Sequence, residues 1–181
     1  MTDVALSPRH VLCLSGSLRG GSSNRAALEA ACALAPASLR LAVHDGLGGL
    51  PWFNPDIETD PPPSVLALRA AVGRADALLI ACPEYAHGIP GAFKNLLDWL
   101  VGSLEFPGKP VLLLNTSARG SHHAQDALAE VLETMSARLL APDPFQVRLP
   151  GAGCTREAVL ASDDRRRELQ AALGCLVAGL A

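Results

Sequence analysis

Residues 15–24, Ser15-Gly16-Ser17-Leu18-Arg19-Gly20-Gly21-Ser22-Ser23-Asn24, bring glycines, hydroxyls and positive charge together in one short stretch. That mixture suits a cradle for an anion. Gly16, Gly20 and Gly21 let the backbone curl and expose its amides, while Ser17, Ser22, Ser23 and Asn24 offer side-chain donors. A helix starting here would add the partial positive charge of its N-terminus. First turns of helices ordinarily welcome acids, yet residues 22–28 hold none, and Arg19 and Arg25 add further positive charge. The competing reading is a serine or asparagine helix cap behind a flexible glycine turn, with no ligand. A nucleotide triphosphate loop requires Gly-Lys-Ser/Thr, and residues 15–24 contain no lysine. The dinucleotide fingerprint G-x-G-x-x-G fails at Leu18. A terminal phosphate monoester, held by hydroxyls and one arginine without metal, suits the loop better.

A second group of reactive side chains lies in residues 83–99, PEYAHGIPGAFKNLLDW. Tyr85 is the only tyrosine of the chain and falls in an expected loop, where it either lies against a flat ligand or packs half-buried on the next helix. His87 is either a proton donor to a substrate or an exposed loop histidine. Lys94 and Asp98 stand four apart and are expected to pair on one helix face. His122 and His123 are adjacent at a helix start, so they are expected to point apart, which argues against a metal pair. No metal site is expected.

The elements that must position these residues alternate as strand and helix, which predicts a parallel sheet covered on both faces. Strands are expected at residues 10–14, 39–43, 77–82 and 111–114, with a fifth between 139 and 147 interrupted by Pro142 and Pro144. A fourth helix buries Ala124, Leu128, Val131, Leu132 and Met135, and a last one buries Leu169, Leu173, Leu176, Val177 and Leu180. The third opens with Pro90. Residues 46–63, with three consecutive prolines, form a long connection. Arg165, Arg166 and Arg167 read as a solvated helix face. In an open parallel sheet ligands sit beyond the carboxyl ends of the strands, which singles out the loops after strands one, three and four.

The 181 residues fit one domain over 1–181. A net charge of -3 offers no basic field for nucleic acid or anionic lipid, and no apolar run is long enough to cross a bilayer. Residues 1–10 lack the layout of a signal peptide. Five cysteines, odd in number and without a C-x-x-C pair, point to reduced thiols and a cytoplasmic protein.

The spacing G-S-x-R-x-x-S-x-N, given by Gly16, Ser17, Arg19, Ser22 and Asn24, resembles the FMN phosphate loop of the NADPH-dependent FMN reductase family. Residues 83–99 are similar to that family's P-E-Y followed by P-G-x-x-K-N-x-x-D-W, and residues 50–56 to its second-strand loop. The resemblance implies an α/β, flavodoxin-like, doubly wound five-stranded parallel sheet of order 2-1-3-4-5. It also implies an FMN-dependent NAD(P)H oxidoreductase with FMN and NADPH or NADH as cofactors and a small-molecule electron acceptor such as a flavin, quinone, azo dye or metal oxyanion. A homodimer or homotetramer is implied as well.

By the same resemblance, Ser17, Arg19, Ser22, Ser23 and Asn24 hold the phosphate, and Pro83, Glu84, Tyr85, Ala86, His87 and Gly88 edge the ring system. Ser117, in the loop after strand four, completes the site. Hydride chemistry rests on the flavin, so no protein side chain is assigned as catalytic. Ala86 stands where the family often carries asparagine, and residues 116–120 differ from the family's Gly-Gly form. The alternative is a non-enzymatic FMN electron carrier of the flavodoxin type. A flavin-free scaffold or a dehydrogenase using Asp45 is the further rival, against which the broken glycine fingerprint argues. Arg19, Arg25 and Arg119 are each candidates for reading a nucleotide 2′-phosphate.

Overall fold

The computed structural model describes residues 7–181. Residues 1–6 of the N-terminal stretch read above lie outside it. The elements run β1 (Arg9–Ser15), α1 (Ser23–Leu34), β2 (Leu39–Val43), α2 (Pro63–Arg74), β3 (Ala77–Ala81), α3 (Gly91–Val101), β4 (Pro110–Ser117), α4 (His122–Thr134), β5 (Arg138–Leu139), β6 (Phe145–Leu149), α5 (Arg156–Leu160) and α6 (Asp163–Gly179). The strands form one parallel sheet of order β2-β1-β3-β4-β5, with β6 also paired to β4. This is the flavodoxin-like order expected.

Alternation along the strands sends successive side chains into two cores. Cys13, Leu79, Ala81, Leu112 and Leu114 meet α1 and α6 on one face, through Ala27, Leu28, Ala31, Leu169, Leu173 and Leu176. Leu14, Leu78, Ile80, Val111 and Leu113 meet α2, α3 and α4 on the other, through Leu68, Val72, Phe93, Leu97, Leu100, Leu128 and Leu132. Every residue of β3 is buried, as a central strand covered on both sides must be. Each fully buried leucine contributes roughly 1.5–3 kcal/mol from apolar burial, so the two layers hold the strand ends in fixed register.

Three sequence expectations change. The fifth strand position is occupied by two segments: β5 continues β4's ladder at Pro110 and Val111, and β6 resumes it at Leu114 and Asn115. Pro142 and Pro144 lie in the gap, since proline cannot donate to a ladder. Pro90 does not open α3 but precedes it as its cap, and its carbonyl accepts the amides of Phe93 (2.9 Å) and Lys94 (2.9 Å). Val177 is 37% exposed rather than core, because the buried stripe of α6 runs through Leu169, Leu173 and Leu176.

The connection over residues 46–63 carries two short 3₁₀ turns, Leu47–Gly49 and Pro55–Ile57. The arginines of α6 form the solvated face expected: Arg166 pairs with Asp163, Arg167 with Asp164, and Arg165 donates to the Ala158 carbonyl at 3.2 Å. No helix among the described residues is long and apolar enough to cross a membrane.

Candidate functional site

Beyond the carboxyl ends of β1, β3, β4 and β6 lies a cleft of about 510 Å³, within the range usual for small-molecule sites. Ser23 and Asn24 line it from α1, and Cys82, Pro83, Glu84 and His87 from the loop after β3. Thr116, Ser117, Ala118, Arg119, Ser121, His122 and His123 line it from the loop after β4 and the start of α4, and Leu149, Pro150 and Gly151 from the end of β6. Ser17 and Arg19 face an adjoining hollow of about 380 Å³ together with Ser15, His44 and Asp45. Ser22 borders a third, of about 420 Å³, with Gly20, Gly21 and Arg156. The ten-residue loop therefore wraps the N-terminus of α1, with its residues distributed over three hollows.

Local chemistry explains that wrapping. Ser22 caps α1 by accepting the Arg25 amide at 3.5 Å, and Ser17 Oγ accepts the Arg19 amide at 3.2 Å. Both hydroxyl protons remain free to donate outward. The first turn of α1 holds no acid. Arg25 does not add free positive charge to the loop, contrary to expectation: it pairs with Glu29 at 2.7 Å and Asp45 at 2.5 Å. Asp45 is thereby engaged as well. Gly16 continues the β1–β3 ladder, its amide donating to the Ala81 carbonyl at 2.9 Å. A Cβ placed there would stand 2.7 Å from Cys82 Sγ and 3.1 Å from Cys82 Cα, so this glycine serves close approach of two strand ends as well as loop flexibility.

Asn24 is buried, and its Oδ1 accepts the hydroxyl of Thr116 at 2.9 Å. One hydrogen bond thus ties the loop after β1 to the loop after β4. The latter is folded by Asn115, whose Oδ1 accepts the Ser117 amide at 3.0 Å and whose Nδ2 donates to the Gly120 carbonyl. Ser117 Oγ in turn accepts the Arg119 amide at 3.1 Å. Ser121, left-handed at φ 49°, makes no side-chain cap, and Glu84 fills the vacancy by accepting the Ala124 amide at 3.0 Å. Glu84 therefore fastens the loop after β3 to α4.

Tyr85, Ala86 and Gly88 do not line the cleft; they build a two-residue hairpin at its mouth. Tyr85 and Gly88 exchange both backbone bonds, at 3.1 and 3.0 Å, while Ala86 and His87 sit at φ 49° and 59°. Two positive φ angles define a type I′ turn, which favours asparagine and glycine. Tyr85 is 53% exposed, so it is not packed away on the next helix. Cys82 forms a neutral part of the wall, since burial pushes its thiol up to about 12. His44, behind the first loop, has its imidazole pushed down by burial, and its Nε2 is buried without a hydrogen-bond partner.

The Asn-x-x-x-Trp part of the second motif has a positioning role. Asn95 accepts the Phe53 amide at 2.7 Å and donates to the Pro51 carbonyl at 2.9 Å, while Trp99 Nε1 donates to the same carbonyl at 2.8 Å. Phe53 packs edge-on against Trp99 at 5.1 Å. Together they latch residues 51–53 to α3. Lys94 and Asp98 pair at 2.5 Å as expected.

His122 and His123 do not point apart. Their ring centroids are 4.1 Å apart, and His123 also meets His87 at 4.3 Å, because the turn after β3 closes against the first turn of α4. Sequence reading marked residues 116–120 only as a departure from the family pattern and Arg119 as one of three nucleotide candidates, and it passed over Ser121 and the whole of residues 149–151 as cleft residues. One signal was available: residues 117–120 repeat the Ser-x-Arg-Gly of residues 17–20.

The chain matches the NADPH-dependent FMN reductase family over residues 9–147. An NAD(P)H-dependent FMN reductase of Pseudomonas aeruginosa is 41% identical over 127 residues, which is 67% of this chain and 68% of that protein. A 2-hydroxy-1,4-benzoquinone reductase of a Burkholderia species is 32% identical over 160 residues, 86% of this chain and 87% of that protein. Among solved structures, a flavoenzyme NAD(P)H:acceptor oxidoreductase from Paracoccus denitrificans superposes with a TM-score of 0.76 at 26% identity, over 94% of this chain and 98% of its own. A parallel sheet of this order, a cleft at its carboxyl edge fed by an acid-free helix N-terminus, and relatives of this kind lead to one conclusion: the chain belongs to the NADPH-dependent FMN reductase family and is an FMN-dependent NAD(P)H oxidoreductase.

Proposed function

We propose that the FMN phosphate is held around the N-terminus of α1, and that the ring system lies in the cleft between the loops after β3 and β4. There the enzyme passes electrons from NAD(P)H to a quinone or a free flavin. The single observation that carries this reading is the junction of Asn24 and Thr116 at 2.9 Å, which makes the phosphate loop and the floor of the cleft one continuous surface.

The residues fit the group. Ser17, Ser22 and Ser23 keep hydroxyl donors free, Arg19 makes no ion pair among the described residues, and no carboxylate stands in the first turn of α1. When bound, the flavin supplies hydride acceptance and donation, and the chain supplies binding, orientation and shelter from water. Pro83, Glu84, Tyr85, Ala86, His87 and Gly88 edge the ring; Glu84 acts through α4, and Tyr85 stands at the open mouth. Ser117 donates from the opposite wall. Quinone and flavin acceptors are supported by the names of the Pseudomonas and Burkholderia relatives.

The chain acts as one FMN-binding domain over residues 1–181, works in the cytoplasm, and assembles as a homodimer or homotetramer. The exposed apolar side chains Trp52, Tyr85, Val101 and Leu104 support assembly. Light scattering on the purified protein reads the assembly directly, and a monomer would reject it.

The functional test is an anaerobic titration of the FMN-loaded protein with NADPH, followed by addition of a benzoquinone. Bleaching of the flavin band, then its return with quinone, is the expected result. Flavin that binds but is not bleached would reject the reductase in favour of an electron carrier.

A further inference from the structure

Three imidazoles meet on one wall of the cleft. The His87 and His123 ring centroids lie 4.3 Å apart at an interplanar angle of 50°, and those of His122 and His123 lie 4.1 Å apart at 37°. They come from two elements, the turn after β3 and the first turn of α4, and all three line the cleft beside Arg119. Two imidazolium charges this close repel each other. An oxyanion set against that wall would offset the repulsion.

The charges that face it are few. Glu84, from the loop after β3, is engaged with the Ala124 amide, and Asp126 lies one turn along α4 from His122. From α1 come only Ser23 and Asn24, and from the end of β6 only Leu149, Pro150 and Gly151. Arg148 alternates away from the buried Val147 and Leu149. Of the three arginines that could read a nucleotide 2′-phosphate, Arg25 is neutralised by Glu29 and Asp45, and Arg19 belongs to the first loop. Arg119 makes no ion pair among the described residues and lines the cleft itself.

We propose that Arg119, His87, His122 and His123 form a proton-linked oxyanion site that takes the 2′-phosphate of NADPH, so that preference for NADPH over NADH grows as pH falls. The inference rests on the reading that NAD(P)H enters this cleft. FMN carries a phosphate monoester of the same chemistry, so the test must separate the two sources.

The FMN-loaded protein is titrated with 2′,5′-ADP and with 5′-AMP by calorimetry at pH 6 and pH 8, in two buffers of different protonation enthalpy. 2′,5′-ADP is expected to bind about tenfold tighter at pH 6 than at pH 8, with proton uptake, while 5′-AMP shows neither. Arg119→Ala should remove about tenfold of the 2′,5′-ADP affinity, the worth of one charge-assisted contact. The double variant H122A/H123A should lose proton uptake relative to the parent, a difference from which the ligand's own ionisation cancels.

Equal binding of 2′,5′-ADP and 5′-AMP, or a pH slope that survives the histidine substitutions, would overturn the proposal. So would a histidine variant that instead loses its preference for FMN over riboflavin, since that would assign the cluster to the flavin phosphate. Failure of the wild-type protein to bind FMN at all would sink the earlier functional reading and is scored before any nucleotide is added.

Discussion

Residues 17–20 and 117–120 share the pattern Ser-x-Arg-Gly, and in both the serine Oγ accepts the arginine amide, at 3.2 Å after β1 and 3.1 Å after β4. Around that common turn the two loops diverge. After β1 the helix begins at an extended Ser22 that caps it, and the residue before the motif is Gly16, pressed against Cys82. After β4 the helix begins at a left-handed Ser121 capped by Glu84 from another loop, and the residue before the motif is the buried Thr116. Ser23 and Asn24 follow in the first case, His122 and His123 in the second. One turn thus leads into a helix opening with Ser23 and Asn24 in the first case and into one opening with two adjacent imidazoles in the second.

The largest effect is expected where the loops differ in shape. Gly16→Ala drives a methyl into Cys82 and should cost about 2–3 kcal/mol, read as a lowered denaturation midpoint at unchanged slope. Cys82→Ala in the same chain should recover part of it, because the clash with Cys82 Cα remains. A Gly16→Ala protein of wild-type stability would remove steric approach as the reason for glycine here.

Next comes charge. Arg19→Ala should weaken FMN binding at least tenfold by fluorescence titration, while Arg119→Ala leaves it within about twofold. Equal losses would mean that the two loops serve one phosphate. A smaller effect separates the floor that joins them: Thr116→Val deprives buried Asn24 of its donor and should cost about 1 kcal/mol of folding stability.

The smallest concerns the turn at the mouth. Ala86→Asn relieves a left-handed residue at φ 49° and should raise stability by about 0.5 kcal/mol, with FMN affinity unchanged. A drop in stability would show that Ala86 is fitted to its surroundings.

Much of this was legible in the sequence. Four strands were readable from short apolar runs, since a parallel sheet covered on both faces needs them, and the first loop stood out because it gathers glycine, serine and arginine just ahead of a helix. The fifth strand's division was half visible in Pro142 and Pro144, but which part of β4 each piece joins depends on register. The histidine cluster was not legible. Adjacent residues on an isolated helix diverge, and only the closure of the turn after β3, held there by Glu84, brings His87 onto His123. The role of Asn95 and Trp99 as a latch was hidden for a similar reason: their acceptor, the Pro51 carbonyl, belongs to a stretch without regular structure.

The divided fifth position has a consequence for the protein in a crowded cell. An outermost strand ordinarily presents a row of unpaired amides and carbonyls to which another chain can add. Here that border is two residues of β5, a break containing Pro142 and Pro144, and five residues of β6. No intruding strand finds a long uninterrupted template along it, so the border of the sheet is guarded against edge-to-edge aggregation by the same prolines that blur its reading in the sequence.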